Sequence, residues 1–201
     1  LPNQRLWRLF MEWNNSEFKE VGKQLLLPLF EGVGKAPNNA LSGLSRSQRS
    51  LVREAISSDD FEGKKGQRMA VWTPGCRVLL AGMRKKTEFG HRKARNIGAR
   101  VMAALSKKNG LALTVRFTSG WSSERILDFA EGMMLRDYEF LEHQGIDDEH
   151  VTEPWSTDFQ ASARHQDTLA AGLSRIHSVV GGVHLARDLG HDPAHVLYPM
   201  E

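Results

Sequence analysis

Lys23-Gln24-Leu25-Leu26-Leu27-Pro28-Leu29-Phe30 is the stretch that decides the fold class. Its apolar run is continuous over the length of a strand, the pattern of a strand covered on both faces rather than one with a wet side. Pro28 has no backbone donor, so it belongs near the end of that strand or at an edge. The Gly32, Gly34, Pro37, Asn38 and Asn39 cluster that follows has the composition of a loop.

Downstream, helical and strand periods alternate. Residues 47–56 put Leu51, Val52, Ala55 and Ile56 on one helical stripe, and residues 59–66 turn the chain. Met69-Ala70-Val71-Trp72 and Arg77-Val78-Leu79-Leu80-Ala81-Gly82 read as strands joined by a tight turn at Thr73-Pro74-Gly75. Residues 89–105 predict a helix with Ala94, Ile97, Val101, Ala104 and Leu105 inward and arginines and lysines outward. Gly110 stops it, and residues 111–117 alternate as a strand. Ser122 and Ser123 offer an N-cap for a helix over 125–140. Residues 143–158 are acidic and polar, the composition of a connector. Residues 161–189 carry Leu169, Leu173, Ile176, Val180 and Val183 at helical spacings, with Gly181-Gly182 expected to weaken or bend the helix. The class is α/β, with a mostly parallel sheet flanked by helices and followed by a long connecting helix. Upstream, residues 1–13 mix apolar and basic side chains without a period, and residues 1–17 are expected to form an N-terminal extension.

The composition narrows the field. Of 201 residues, 40% are hydrophobic and 25% charged, which excludes wholesale disorder and suffices for a core. No stretch approaches the roughly 20 uninterrupted apolar residues of a membrane-spanning helix. The lone Cys76 cannot form an internal disulfide or a cysteine-based zinc site, which suits a reducing compartment and a cytoplasmic location. Residue 1 is Leu and no basic-then-apolar leader follows, so a processed form or a fragment is expected. The formal charge of +3 hides an uneven distribution. Residues 60–108 hold 13 Lys/Arg against 3 Asp/Glu, and residues 128–158 hold 1 against 10. Such asymmetry fits a nucleic-acid face, or two surfaces that complement each other within a domain or across subunits.

Candidate chemistry is sparse. His184, His191 and His195 lie among Asp188 and Asp192, and the spacing of four between His191 and His195 would suit zinc on a continuous helix. Pro193 between them argues against it, because proline disfavours helical backbone at Asp192. Gly190 then reads as the helix stop, with Asp192-Pro193 starting a new one. Gly32, Gly34, Gly63 and Gly66 match no full phosphate-loop spacing, although Gly63 and Gly66 flank Lys64 and Lys65 and an anion nest is conceivable. The run Met83-Arg84-Lys85-Lys86 with His91-Arg92-Lys93 suits phosphate contacts or a solvated helix face, and only Phe89 supplies aromatic interleaving. Cys76 sits at a turn with no activating partner implied. Asp128, Glu131 and Asp137 read as a solvated acidic face. No catalytic, cofactor-binding or metal-ligating residue is assigned within the chain.

Five segments taken in order carry a more specific signal. They are Asp60-Phe61-Glu62-Gly63-Lys64-Lys65-Gly66; Arg77 through Lys86; Glu88-Phe89 with Arg92-Lys93-Ala94; Ala130-Glu131-Gly132-Met133-Met134-Leu135-Arg136-Asp137-Tyr138-Glu139-Phe140; and the run from Leu185-Ala186-Arg187-Asp188 to Val196-Leu197-Tyr198-Pro199. From about Phe18 onward the chain resembles the N-terminal portion of the leucyl (cytosol) aminopeptidase family, hexameric two-metal exopeptidases. The resemblance implies a macro-domain-like unit over residues 18–142, a connector and linking helix over 143–190, and the start of a catalytic domain over 191–201. The family carries Asn at the position of His191 and often at that of His195, so this chain diverges there. The family's metal ligands and its Asn-Thr-Asp-Ala-Glu-Gly-Arg-type motif lie in the catalytic domain. Ala130-Glu131-Gly132 shares three letters with that motif but belongs to a helix pattern of the N-terminal unit. The resemblance therefore implies two divalent ions, Mn or Zn, for the parent protein and none in this chain. Its implied partners are the catalytic domain and sibling subunits of a homo-hexamer. Some relatives bind DNA, and by analogy with macro domains nucleotide or ADP-ribose binding is the further alternative.

Overall fold

The computed structural model describes residues 12–16, 23–32, 38–105, 112–138, 140 and 156–192. Six strands form one sheet: β1 (Glu12–Ser16), β2 (Gln24–Leu29), β3 (Arg68–Thr73), β4 (Cys76–Gly82), β5 (Leu113–Arg116) and β6 (Ser156–Gln160), in the order β1-β6-β5-β2-β4-β3. All neighbours are parallel except β3, which folds back on β4 through the tight turn at Pro74-Gly75. Among the described residues four α-helices cover it: α1 (Arg46–Ser58), α2 (His91–Ala104), α3 (Ser123–Arg136) and α4 (Gln166–His191).

β2 is central and all six of its residues are buried. Leu25, Leu27 and Leu29 enter the core under α1, with Val52 and Ile56. Leu26 and Phe30 enter the core under α2, α3 and α4. Pro28 is accommodated by the ladder geometry. The Leu29 carbonyl accepts from Met83 N at 2.8 Å, so Leu29 faces β4 and Pro28 faces β5. Pairing with β5 stops at Leu26–Val115, where the next donor required would be the proline nitrogen.

Local signals account for the helix ends. Ser45 accepts from Gln48 N, and Gln48 Oε1 accepts from Ser45 N at 2.7 Å, a reciprocal capping box one turn before the apolar stripe. Ser122 caps α3 through Arg125 N. α2 and α3 approach until backbones touch: a methyl group at Gly132 would lie 1.9 Å from the Arg95 carbonyl oxygen, and one at Gly98 would lie 2.1 Å from that of Phe129. No larger residue fits at either crossing point.

Several expectations need correction. Residues 12–16 pair along β6 as an edge strand, although they fall within the expected extension. Residues 156–160, expected in the connector, form β6 between β1 and β5, so the sheet crosses both expected boundaries. Leu51, expected inward, is 41% exposed, while Val52 and Ile56 carry the stripe. α3 ends at Arg136 rather than 140. α4 passes through Gly190, the expected stop, and ends at His191. It closes at Asp192, whose extended backbone (φ −62°, ψ 137°) is the conformation a following proline imposes. Gly34, Gly110, Pro193 and His195 lie outside the described residues.

Candidate functional site

In open parallel sheets, ligands enter at the carboxyl ends of the strands. Here that rim is filled from within. Phe30, at the end of β2, meets Phe89 and Trp121 at ring-centroid distances of 5.2 Å, and Phe117 meets Trp121 at 4.9 Å. All four rings are buried. The lysine-flanked glycine loop packs over the same end: Gly63 lies so close to Phe30 that a Cβ would sit 2.6 Å from its carbonyl oxygen, and Arg84 N donates to Gly63 O. The amides that might have cradled an anion already have a partner, because Gln67 Oε1 accepts from Glu62 N at 3.1 Å and from Lys64 N at 2.9 Å. Lys64 pairs with Glu62, whose carboxylate raises the lysine pKa. Gly63 (φ +75°) and Gly66 (φ +80°) are therefore turn glycines in this structure.

The acidic and basic segments meet across the α2–α3 crossing. Asp128 on α3 contacts His91 Nδ1 at 2.5 Å and Arg95 at 3.4 Å, and Glu131 holds Arg95 at 2.7 Å. Asp128 and Glu131, expected on a solvated face, are only 13% and 20% exposed and bridge two helices. Complementary surfaces within one domain thus account for part of the charge asymmetry. Lys85, Lys86 and Arg92 remain exposed, while Arg84 pairs with Glu88 and Lys93 donates to the Glu88 carbonyl.

Among the described C-terminal candidates, Asp188 and His191 serve as packing groups. Tyr138 donates to Asp188 Oδ1 at 2.9 Å, and Arg187 lies over the Tyr138 ring while donating to the Leu135 carbonyl. His191 Nδ1 bonds the Arg187 carbonyl at 2.7 Å, and its ring stacks on Phe140. These contacts fasten the far end of α4 to the segment after α3. Cys76 is buried, and burial pushes its thiol pKa up, away from nucleophilic character.

Two arrangements escaped the sequence reading. Arg116 is fully buried: its Nε and Nη2 donate to Gln160 Oε1 at 2.9 and 2.6 Å, and its Nη1 donates to the carbonyls of Ala40 and Ser42 at 3.1 and 2.5 Å. Burial lowers its pKa and Asp158 partly offsets that. Residues 44 and 76 positions apart share this network, so no local pattern announces it. The second is His165, whose Nδ1 lies 2.7 Å from Ser123 Oγ. Arg164 Nε donates to His165 Nε2 at 3.0 Å, which leaves the ring proton on Nδ1, donated to the serine. The pair is wired opposite to an activated serine nucleophile, in which the imidazole must accept. Burial, then Arg164, holds the His165 pKa below its ordinary value.

The family model described as the cytosol aminopeptidase family, N-terminal domain, matches residues 26–144. The chain belongs to that family. Among curated relatives, a probable cytosol aminopeptidase of Alkaliphilus oremlandii is 25% identical over 195 residues, covering 91% of this chain and 38% of its own. One from Roseiflexus castenholzii is 29% identical over 158 residues, with 75% and 32% covered. A tomato leucine aminopeptidase mutant superposes with a TM-score of 0.68 at 20% identity, over 92% of this chain and 39% of that one. The bottromycin maturation enzyme BotP, in complex with Mn, superposes with a TM-score of 0.57 at 20% identity, over 88% and 33%. The chain spans about two fifths of the length of the relatives it matches.

The cytosol aminopeptidase family implies divalent metal ions, and the described side chains assemble no set that fits them. Among the described residues no three His, Cys, Asp or Glu side chains converge. Of the residues in the sequence candidate, Asp188 and His191 are engaged by Tyr138 and by the Arg187 carbonyl, and His195 lies outside the described residues. No helix among the described residues is long and apolar enough to cross a membrane.

Proposed function

We propose that this chain is the non-catalytic N-terminal domain of a longer two-metal exopeptidase that removes N-terminal amino acids from peptides. The carrying observation is the family match over residues 26–144 in a chain that spans about two fifths of relatives named as aminopeptidases. A two-metal hydrolase needs carboxylates that hold both ions and polarise the attacking water, and the described residues bring no such set together. The metals, Mn or Zn, would then be held by the catalytic domain, with residues 191–201 at its start.

The outer face of α4 supports the same reading. Leu185 and Leu189 are 51% and 41% exposed on the side opposite the buried Leu169, Leu173 and Val180, and Val179, 51% exposed, lies on the flank of that buried stripe. A helix apolar on two sides is built to be covered on both. On this reading the second cover is the catalytic domain, the N-terminal domain shapes access to it, and the assembly is a cytoplasmic homo-hexamer.

Incubating the 201-residue chain with leucine p-nitroanilide and Mn2+ or Zn2+ tests the catalytic half of the proposal. No nitroaniline release is expected; metal-dependent release would overturn it. Blotting source cells with an antibody raised against this chain tests the other half. A band at more than twice the 22.6 kDa of the chain is expected, and a band at that mass alone would refute a longer parent.

A further inference from the structure

Among the described residues the sheet ends at β3, with no strand beyond it. Gly82 N donates to Gln67 O, and this bond sets the alternation along the hairpin. Residues 67, 69, 71 and 73 turn their backbone groups toward β4, so those of Arg68, Ala70 and Trp72 point outward. The same three residues present exposed side chains on the face away from α1, since Val71 is the one buried in the core under α1. There α2 stops short of covering the sheet. A cavity of about 250 Å³ remains, lined by Ala70, Leu79, Val101 and Leu105, with Arg68 and Arg77 along it. Trp72 is 72% exposed, and the Arg77 guanidinium lies 4.6 Å from its ring centroid. Among the described residues neither Arg68 nor Arg77 has a carboxylate partner, and Arg77 Nε is buried without an acceptor.

We propose that the β3 edge binds an extended acidic peptide by strand addition. Outward backbone donors and acceptors select an extended main chain. The apolar trough takes every second side chain, and two guanidiniums without carboxylates select acidic residues at the ends of that row. A single-stranded nucleic acid would use the same cations but needs successive stacking faces. Trp72 is the only aromatic among the exposed large apolar residues described. This inference goes beyond the aminopeptidase reading and stands independently of it, since β3 lies at the sheet edge remote from β6 and α4.

The test titrates the chain against a fluorescent peptide, Glu-Thr-Val-Thr-Val-Thr-Glu, by anisotropy. Saturable binding is expected, weakening with salt and falling about tenfold in the Arg68→Glu and Trp72→Ala variants. Both residues are exposed, and a melting curve checks that each variant folds. Two further peptides, N-methylated on the threonines or on the valines, need no variant. At least one must lose binding if backbone pairing carries it. Absence of binding, equal affinity of both methylated peptides and the parent peptide, or tighter binding of an oligo-dT strand at the same residues would each overturn the proposal.

Discussion

Arg116 and Phe117 are adjacent in the chain and both wholly buried, yet they enter opposite worlds. Phe117 joins the apolar layer under α2, α3 and α4, touching Trp121, Phe129 and Phe159. Arg116 enters the other face, where α1 covers only part of the sheet. There the backbone of residues 40 and 42 and the Gln160 side chain provide the cover. Phe117 is held by burial of area, whereas Arg116, at the end of a face that is otherwise apolar, is a charge whose donors must find acceptors. The first tolerates rearrangement of similar volumes; the second is intolerant of losing a single partner.

Substitutions at the two neighbours break this comparison from either side. Phe117→Ala is expected to have the larger effect, about 4 kcal/mol less stable, because it opens a cavity among three aromatic rings. Urea unfolding measures it, and a loss under about 1 kcal/mol would mean the aromatic layer closes over the gap. Arg116→Met keeps most of the volume but strands the Gln160, Ala40 and Ser42 acceptors, with an expected loss of about 2 kcal/mol. Adding Gln160→Leu should recover part of that loss. If the double variant is instead the sum of the two single losses, the network is not a unit.

The smallest effect concerns pH. The folded His165 pKa lies below its ordinary value, so protonation favours the unfolded chain. Its contribution is complete above the unfolded value of about 6.5 and diminishes as pH falls below that. It levels off once the lowered folded value is passed. Thermal melting between neutral and mildly acidic pH should show a shallower slope for His165→Asn. An unchanged slope would assign the acid sensitivity to other groups.

The legibility of the two faces differed in the same way. Leu25 through Phe30 announced a strand buried on both sides, since every position was apolar whichever way it pointed. The hairpin at Pro74-Gly75 and the α2 and α3 stripes were legible for a similar reason: local period and turn chemistry suffice. β6 was not. Ser156-Thr157-Asp158-Phe159-Gln160 shows a polar stretch within an acidic segment, and its Asp158 and Gln160 make sense only against Arg116, 44 residues from Gln160. β1 was hidden equally, because an edge strand takes its identity from the neighbour it pairs with. The glycines at 98 and 132 were visible as letters but not as a crossing point.

The amino-acid sequence by itself determined the class, an α/β sheet with a long final helix, because alternating periods dictate which residues need cover. The ordered motifs likewise carried the family. Tertiary structure alone decided what the charged and polar residues do. Asp128 and Glu131 became bridges, Gln67 filled the amides of a glycine loop, and Asp188 and His191 became packing groups instead of ligands. The physical reason is range. Hydrophobic burial is non-directional and can be read from spacing along the chain, whereas a hydrogen bond or ion pair depends on a partner whose position only the folded chain defines.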